Sequence, residues 1–152
     1  MRFTWLLVLA VLLTASGPAA AQITVTPVRD LAFGPVIVGV PTHIGPSHPV
    51  RSGQFRLTAP LLTLVRFHLS LPNRLDGPAG ARLPISYVGT DGIAVAAAPS
   101  SLPVTFNPKA SQKFLFATST TAFVFVGGTV SPAGNQQQGN YAGTITITVN
   151  VF

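Results

Sequence analysis

The chain has 152 residues, of which 47% are hydrophobic and only 8% are charged. Intrinsic disorder requires low hydrophobicity and high charge, so most of this chain is expected to fold. Because it contains no cysteine and only three acidic residues, thiolate chemistry and disulfide bridges are excluded, and the paired carboxylates of a glycosidase are improbable.

The first 21 residues have the features of a secretory signal peptide. Arg2 precedes an unbroken apolar run from Trp5 to Leu13, and small residues occupy Ala19–Ala21. We therefore predict cleavage between Ala21 and Gln22, and export to the periplasm, the cell surface or the medium. The apolar run is shorter than the roughly 20 residues that a spanning helix needs, so no integral membrane span is expected after signal removal.

Apolar and polar residues alternate along most of residues 22–152, which is typical of β-strands. The alternation predicts early strands over residues 23–26, 31–38, 54–58 and 65–71. The pattern ends at Pro27 in the first of these strands. Glycine and proline predict a loop over 39–53, and turn residues predict another over 73–80.

Short strands are also predicted in the second half of the chain. They cover residues 85–88, 93–95, 104–106, 114–116 and 123–126. Gly127 and Gly128 predict a bulge or bend, and residues 131–139 predict a loop. No helical period is found outside the predicted signal peptide. The chain is therefore predicted to be one all-β domain over residues 22–152, an antiparallel β-sandwich.

The last strand has the clearest alternation. One of its faces carries the apolar residues Tyr141, Ile145, Ile147, Val149 and Val151. The other face carries Ala142, Thr144, Thr146, Thr148 and Asn150. The apolar face is predicted to be buried, because a slip of one residue would exchange the two faces.

The sequence has no pattern typical of a catalytic or metal site. The three histidines are His43 and His48 in a predicted loop and His68 on the polar face of a strand, with no carboxylate at ligand spacing. No G-x-S-x-G motif is present. We therefore expect no enzymatic activity, no cofactor and no metal ion, and we do not expect an exported chain to bind nucleic acid.

The formal net charge is +6, and loss of Arg2 leaves +5. Arg56 and Arg66 are predicted to face outward on strands. Such a surface attracts anionic partners such as lipid phosphates or acidic polysaccharide, but ordinary surface charge is the simpler explanation. The eight basic residues after the signal are Arg29, Arg51, Arg56, Arg66, Arg74, Arg82, Lys109 and Lys113.

Two segments resemble secreted bacterial domains related to spore coat protein U and to pilin subunits. The first is the Leu-Ala-Phe-Gly-Pro-Val run over 31–36, and the second combines residues 126–130 with the Gly-x-Tyr-x-Gly strand that begins at Gly139. The resemblance implies an immunoglobulin-like β-sandwich. It also implies a pilin-type recognition strand, because Gly139 is fourteenth from the end and alternate apolar residues continue to the penultimate Val151.

We therefore expect an exported, non-enzymatic structural subunit of the cell surface or of a fimbria-like assembly. Its partners would be copies of itself, related subunits and a periplasmic chaperone, joined by β-strand addition. The strand-pairing residues would be Gly139, Tyr141, Ile145, Ile147, Val149 and Val151. Two alternatives stay open: an ordinary final core strand, and a free-standing secreted domain that binds an anionic ligand. Gln22–Arg29 is short for a donated strand, and Pro27 lacks a backbone donor.

Overall fold

The computed structural model describes residues 22–152, so the predicted signal peptide and Ala21 lie outside the described residues, whereas Gln22 is described and exposed. Twelve strands and one turn of 3-10 helix, Pro78–Gly80, occupy the described part of the chain. The strands are β1 Thr24–Arg29, β2 Thr42–Ile44, β3 Gly53–Thr58, β4 Leu64–Ser70, β5 Arg74–Asp76, β6 Arg82–Ser86, β7 Gly92–Ala96, β8 Val104–Phe106, β9 Gln112–Leu115, β10 Thr121–Val126, β11 Gly128–Val130 and β12 Thr146–Val151.

The strands form three sheets in which every strand pairing is antiparallel. Their orders are β1-β3-β10-β7-β8, β2-β11-β6-β5 and β12-β4-β9. The prediction of an all-β antiparallel sandwich is confirmed, and the immunoglobulin-like topology stays a prediction. No helix in the described residues is long and apolar enough to cross a membrane.

The core is built from the inward faces of the central strands. Strand β10 alternates strictly, with Ala122, Val124 and Val126 buried and the residues between them half-buried. In the third sheet the fully buried Phe67 packs edge-on against Phe106, with ring centres 5.3 Å apart. This apolar burial is the main source of stability in a chain that has no disulfide bridge.

Several boundaries differ from the sequence prediction. Residues 31–38 form a loop rather than a strand, because Gly34 adopts the left-handed region at φ 69°. Strand β1 continues through Pro27, and its register shifts between Pro27 and Arg29. An edge strand tolerates proline because one side of its backbone faces solvent. Strands β2 and β5 lie in predicted loops, and β12 begins at Thr146 rather than at Tyr141.

Candidate functional site

The C-terminal strand is hydrogen-bonded along one edge only. Within residues 22–152, strand β12 pairs with β4 and with no other strand. Upstream of β12, Ala142 exchanges two backbone hydrogen bonds with Asp76, and at the far end the Phe152 N–H donates to the Leu64 carbonyl. Successive residues of an extended strand turn their polar groups to opposite edges. Even-numbered residues therefore bond to β4 and β5, whereas odd-numbered residues face the open edge.

A groove of about 1110 Å³, with apolar side chains at its floor and polar side chains such as Asp30 and Gln137 at its rims, lies beside the start of this open edge. One rim is the segment 29–38, which follows β1, and the other rim is the segment 136–145, which precedes β12. We call this feature the groove. Its floor comes from both layers of the sandwich and consists mainly of the side chains Phe55, Leu75, Leu83, Ile85 and Tyr87.

Backbone groups on both rims of the groove are free to bond with an added chain. On the first rim, the Ala32 N–H donates to the Arg51 carbonyl and the Phe33 carbonyl accepts from Arg51 Nη1 at 3.2 Å, whereas no hydrogen bond is found for the backbone of residues 34–36 within the described chain. On the second rim, the same is true of residues 143–145. An extended segment in the groove would therefore meet unpaired N–H and C=O groups as well as apolar side chains.

The Gly-x-Tyr-x-Gly motif fixes the second rim in place. The Tyr141 hydroxyl accepts a hydrogen bond from Gln136 Nε2 at 2.7 Å and donates one to the Gln137 carbonyl at 2.6 Å. The Tyr141 ring lies so close to Gly77 that a Cβ there would be 2.3 Å from ring carbon Cε1. Gly143 packs in the same way on Leu75, because a Cβ added at Gly143 would lie 2.8 Å from Leu75 Cδ2.

Gly139 is needed for a different reason. Its φ of 149° lies outside the range that residues with side chains ordinarily adopt, and a Cβ there would be 2.5 Å from Pro78 Cγ. The motif residues of the C-terminal segment therefore hold it against the 72–78 region, and the segment becomes a firm rim.

The structure divides the predicted strand-pairing residues into two groups. Gly139, Tyr141 and Ile145 line the groove. Ile147 and Val149 lie in β12, half-buried against the core, and Val151 is 56% exposed at the far end. The threonines between them, Thr144, Thr146 and Thr148, are all exposed. The apolar face is therefore half-buried rather than fully buried up to Val149, and the prediction of a buried face is wrong for Val151.

Sequence reasoning missed the first rim and the floor of the groove. Leu31 and Phe33, for which a strand is predicted, form the rim, and the floor joins Phe55 of β3 to residues in and next to the β5–β6 hairpin. Among the floor residues, Tyr87 is only 5% exposed, and its hydroxyl has no hydrogen-bond partner in the described structure. Burial and the nearby carboxylate of Asp91 raise the pKa of Tyr87 to about 12.

The one fully buried carboxylate has a structural role. Asp91 Oδ2 accepts a 2.8 Å hydrogen bond from the Val88 N–H, and this bond closes the turn between β6 and β7. His43 lies with Nε2 3.8 Å from Asp91 Oδ1 and with Nδ1 2.9 Å from Thr129 Oγ1. His43 and Thr129 are directly opposite on β2 and β11. Among residues 22–152, no group of three potential ligands could hold a metal ion.

Strand β1 is bound to its own subunit. It pairs with β3, and Arg29 anchors its end by donating to the Ser52 carbonyl at 2.7 Å, to Ser52 Oγ at 2.8 Å and to the Pro49 carbonyl. Its remaining residues are nevertheless exposed, including Val25 and Val28. Strands β1 and β12 are thus edge strands, and the groove lies between the segments that adjoin them.

Comparison with known proteins places the chain in a family. A family model described as a domain of unknown function (DUF4402) matches residues 74–151, just over half of the chain. The match spans β5 to β12 and includes the second rim and most of the floor of the groove. Searches of curated proteins and of solved structures found no match. The chain therefore belongs to the DUF4402 family.

Proposed function

We propose that this member of the DUF4402 family is an exported, non-enzymatic structural subunit of the bacterial surface or of a fimbria-like assembly, and that it assembles by β-strand addition at the groove. The observation that carries the proposal is the position of the groove. An apolar groove, two rims with unpaired backbone and the open edge of the C-terminal strand all lie together. Each is a requirement for accepting an extended segment.

The added strand would gain two kinds of interaction. Its backbone would hydrogen-bond to the outward-facing groups of Gly143 and Ile145, and to residues 34–36 on the opposite rim. Its alternate side chains would project into the groove and cover the half-buried face that Ile145 begins. Main-chain pairing supplies affinity and the apolar side chains supply specificity, as in other examples of β-strand addition.

The same features explain why the subunit would need a chaperone before assembly. An open strand edge is a template for uncontrolled pairing with other chains. Charged residues, which often protect such edges, are absent from β12, whose sequence is Thr-Ile-Thr-Val-Asn-Val. A periplasmic chaperone that supplies a temporary strand would cover this edge until another subunit replaces it.

The test is the oligomeric state of the exported protein, measured by size-exclusion chromatography with light scattering. We expect the subunit to associate, and a peptide with the sequence of residues 23–31 to compete and release monomer. A peptide with aspartate in place of Val25 places a charge in the apolar groove and should have no effect. A stable monomer that ignores both peptides would contradict the proposal.

A variant of the subunit itself provides the matched control. Ile145→Pro removes an N–H from the open edge and keeps an apolar side chain at the rim, so β4 pairing should survive while association is lost. If Ile145→Pro associates as the wild type does, the subunits join elsewhere. That result would favour the alternative in which the tail is an ordinary final strand of a free-standing secreted domain.

A further inference from the structure

We propose that the end of the three-stranded sheet farthest from the groove docks on the surface of an anionic lipid bilayer. Four large apolar side chains are exposed at this end, which we call the apolar tip: Leu61, Leu62, Leu115 and Phe152. This inference goes beyond the proposed function and does not depend on it. Strand β12 runs from Thr146 beside the groove to Val151 beside the tip, a length of about 20 Å.

The apolar tip is one continuous feature of the backbone. Leu64 pairs with Leu115 on β9, and the Phe152 N–H donates to the Leu64 carbonyl, so these three residues form a row across the sheet. The Leu62 N–H donates to the Phe116 carbonyl at 2.7 Å, which places the Leu61-Leu62 turn just beyond that row.

Leu62 has an unusual backbone conformation. Its φ is +62°, in the left-handed region that leucine rarely adopts, and its side chain is 78% exposed. Glycine or asparagine would occupy this turn with less strain. A strained residue that also presents a large apolar side chain to solvent indicates a functional constraint rather than a packing one.

A cationic row lies directly behind the apolar row. Arg66 and Lys113 are opposite each other on β4 and β9, on the same face as Leu64 and Leu115. The Arg66 guanidinium carbon lies 4.7 Å and Lys113 Nζ lies 4.3 Å from the centre of the Phe152 ring. Like charges placed opposite each other on a sheet are destabilising, and no salt bridge to either residue exists within the described chain.

All three acidic residues lie elsewhere. Asp91 is buried beside His43, Asp76 lies 4.0 Å from Arg74, and Asp30 lines the groove. Strands β4, β9 and β12 contain no acidic residue. The tip therefore carries positive charge without a counter-charge of its own, and an anionic surface would supply one.

The spacing of the two rows fits a membrane interface. One two-residue step along a strand separates the backbones of the two rows by about 6.5–7 Å, and the Arg66 and Lys113 side chains reach forward to within 4.7 and 4.3 Å of the Phe152 ring centre. Interfacial apolar groups enter the headgroup and acyl-chain boundary to a depth of about 5–10 Å. The leucines would then reach the acyl boundary, while Arg66 and Lys113, with the Phe152 ring beside them, lie at the level of the lipid phosphates.

The experiment is co-sedimentation of the exported protein with vesicles of phosphatidylcholine alone or mixed equally with phosphatidylglycerol. We expect binding to the anionic vesicles only, with a loss of affinity as salt is raised. Arg66→Gln with Lys113→Gln should weaken binding about fivefold for each cation removed. Leu61→Ser with Leu62→Asn should weaken it on the order of tenfold, because the inserted apolar surface is lost.

Two control variants carry the same chemical changes away from the tip. Leu102→Ser removes a leucine that is 84% exposed before β8, and Arg56→Gln removes an arginine on the five-stranded sheet. Both should bind vesicles like the wild type, as should Ile145→Pro at the groove. Binding that is absent in the wild type, or equally weakened by the controls, would overturn the inference.

Two further outcomes would assign the tip to another partner. Retention on dextran sulfate with no vesicle binding, lost in Arg66→Gln with Lys113→Gln, would indicate an anionic polymer. A dimer that Leu61→Ser with Leu62→Asn converts to monomer would indicate a second copy of the chain. Thermal melting of each variant shows that it is folded, and Leu62→Asn should melt no lower than the wild type because asparagine tolerates the left-handed conformation.

Discussion

Asp76 and Ala142 exchange two backbone hydrogen bonds, of 2.8 and 3.0 Å, and these bonds join the C-terminal segment to β5. The next pair along the ladder is Ser70 with Thr146. Five residues separate Ser70 from Asp76, whereas three separate Ala142 from Thr146, so the two extra residues lie on the opposite side, between β4 and β5. The C-terminal segment itself therefore stays extended, with one edge bonded and the other edge open beside the groove.

Because even-numbered N–H groups bond to β4 and odd-numbered ones face the open edge, proline should have a large effect at one position of this segment and a small effect at another. Thr148→Pro removes an N–H that bonds to β4 and should destabilise the fold by about 3 kcal/mol or more. Ile145→Pro removes an N–H from the open edge and should cost about 1 kcal/mol or less. Urea unfolding of the two variants measures the difference. Equal losses of stability would mean that the assignment of bonded and open edges is wrong.

The burial pattern of β12 predicts a second contrast. Ile147 packs against the core, whereas the neighbouring Thr146 is exposed. Ile147→Asp should destabilise the domain by roughly 2–4 kcal/mol and reduce its secretion, because a charge would replace buried apolar surface. Thr146→Asp should cost less than about 0.5 kcal/mol. Comparable damage from both, in secreted yield and in urea midpoint, would show that β12 is covered on both faces.

The buried Tyr87 hydroxyl predicts a stabilising substitution. Because this group has no partner in the described structure, Tyr87→Phe removes an unmet desolvation cost and should stabilise the domain by about 1 kcal/mol. Tyr141→Phe is the matched control. It removes a hydroxyl with two hydrogen bonds and should destabilise by about 1–2 kcal/mol. A loss of stability in Tyr87→Phe would indicate a partner for that hydroxyl.

The same residue predicts a loss of stability at alkaline pH. The folded state raises the pKa of Tyr87 from 10.0 to about 12, so above pH 10 the unfolded chain releases this proton first. The contribution of Tyr87 to the free energy of unfolding is complete below pH 10. It is lost as the pH rises towards 12, by up to about 2–3 kcal/mol. The urea midpoint should fall less between pH 9 and pH 11.5 in Tyr87→Phe than in the wild type. An equal fall in both proteins would show that ionisation of Tyr87 does not cause the loss of stability.

The close contact between Gly77 and Tyr141 predicts an energetic coupling. Gly77→Ala places a methyl group 2.3 Å from the tyrosine ring and should destabilise by about 1–3 kcal/mol. In a Tyr141→Ala background the same change should be nearly neutral, because the two residues act through one contact. Gly89→Ala, where no atom lies within 4 Å, is the control and should be mild in both backgrounds. If the effects of Gly77→Ala and Tyr141→Ala on the free energy of unfolding were additive, the cost of Gly77→Ala would not come from its contact with Tyr141.

Period-two alternation predicted the class of the fold because it reports which face of a strand is buried. Strands β3, β4, β7, β8 and β10 lie close to their predicted positions, and the two faces of the C-terminal strand were assigned correctly up to Val149. Alternation does not report pairing. For this reason it does not predict β2 and β5, each only three residues long: β2 pairs with the distant β11, and β5 forms a short hairpin with β6 inside a segment rich in turn residues.

The groove could be predicted only in part. The C-terminal rim has a local signal, the Gly-x-Tyr-x-Gly motif with its apolar alternation, and it was identified. The opposite rim has a strand-like composition over 31–38, but the left-handed Gly34 turns it into a loop. The floor brings together Phe55 of β3 with Leu83 of β6 and with Tyr87, which directly follows β6, and only the sheet topology places Phe55 beside the other two.

Backbone amide hydrogen exchange along the C-terminal segment, measured by NMR, tests the strand-addition account most directly. In the monomer, diluted below the concentration at which subunits associate, the amides of residues 146, 148 and 150 should exchange slowly, and those of residues 143, 145 and 147 should exchange rapidly. Saturating peptide 23–31 should then slow the odd-numbered amides and leave the even-numbered ones unchanged. Odd-numbered amides that are already protected in the monomer, or that stay unprotected with saturating peptide, would contradict assembly by strand addition at this edge.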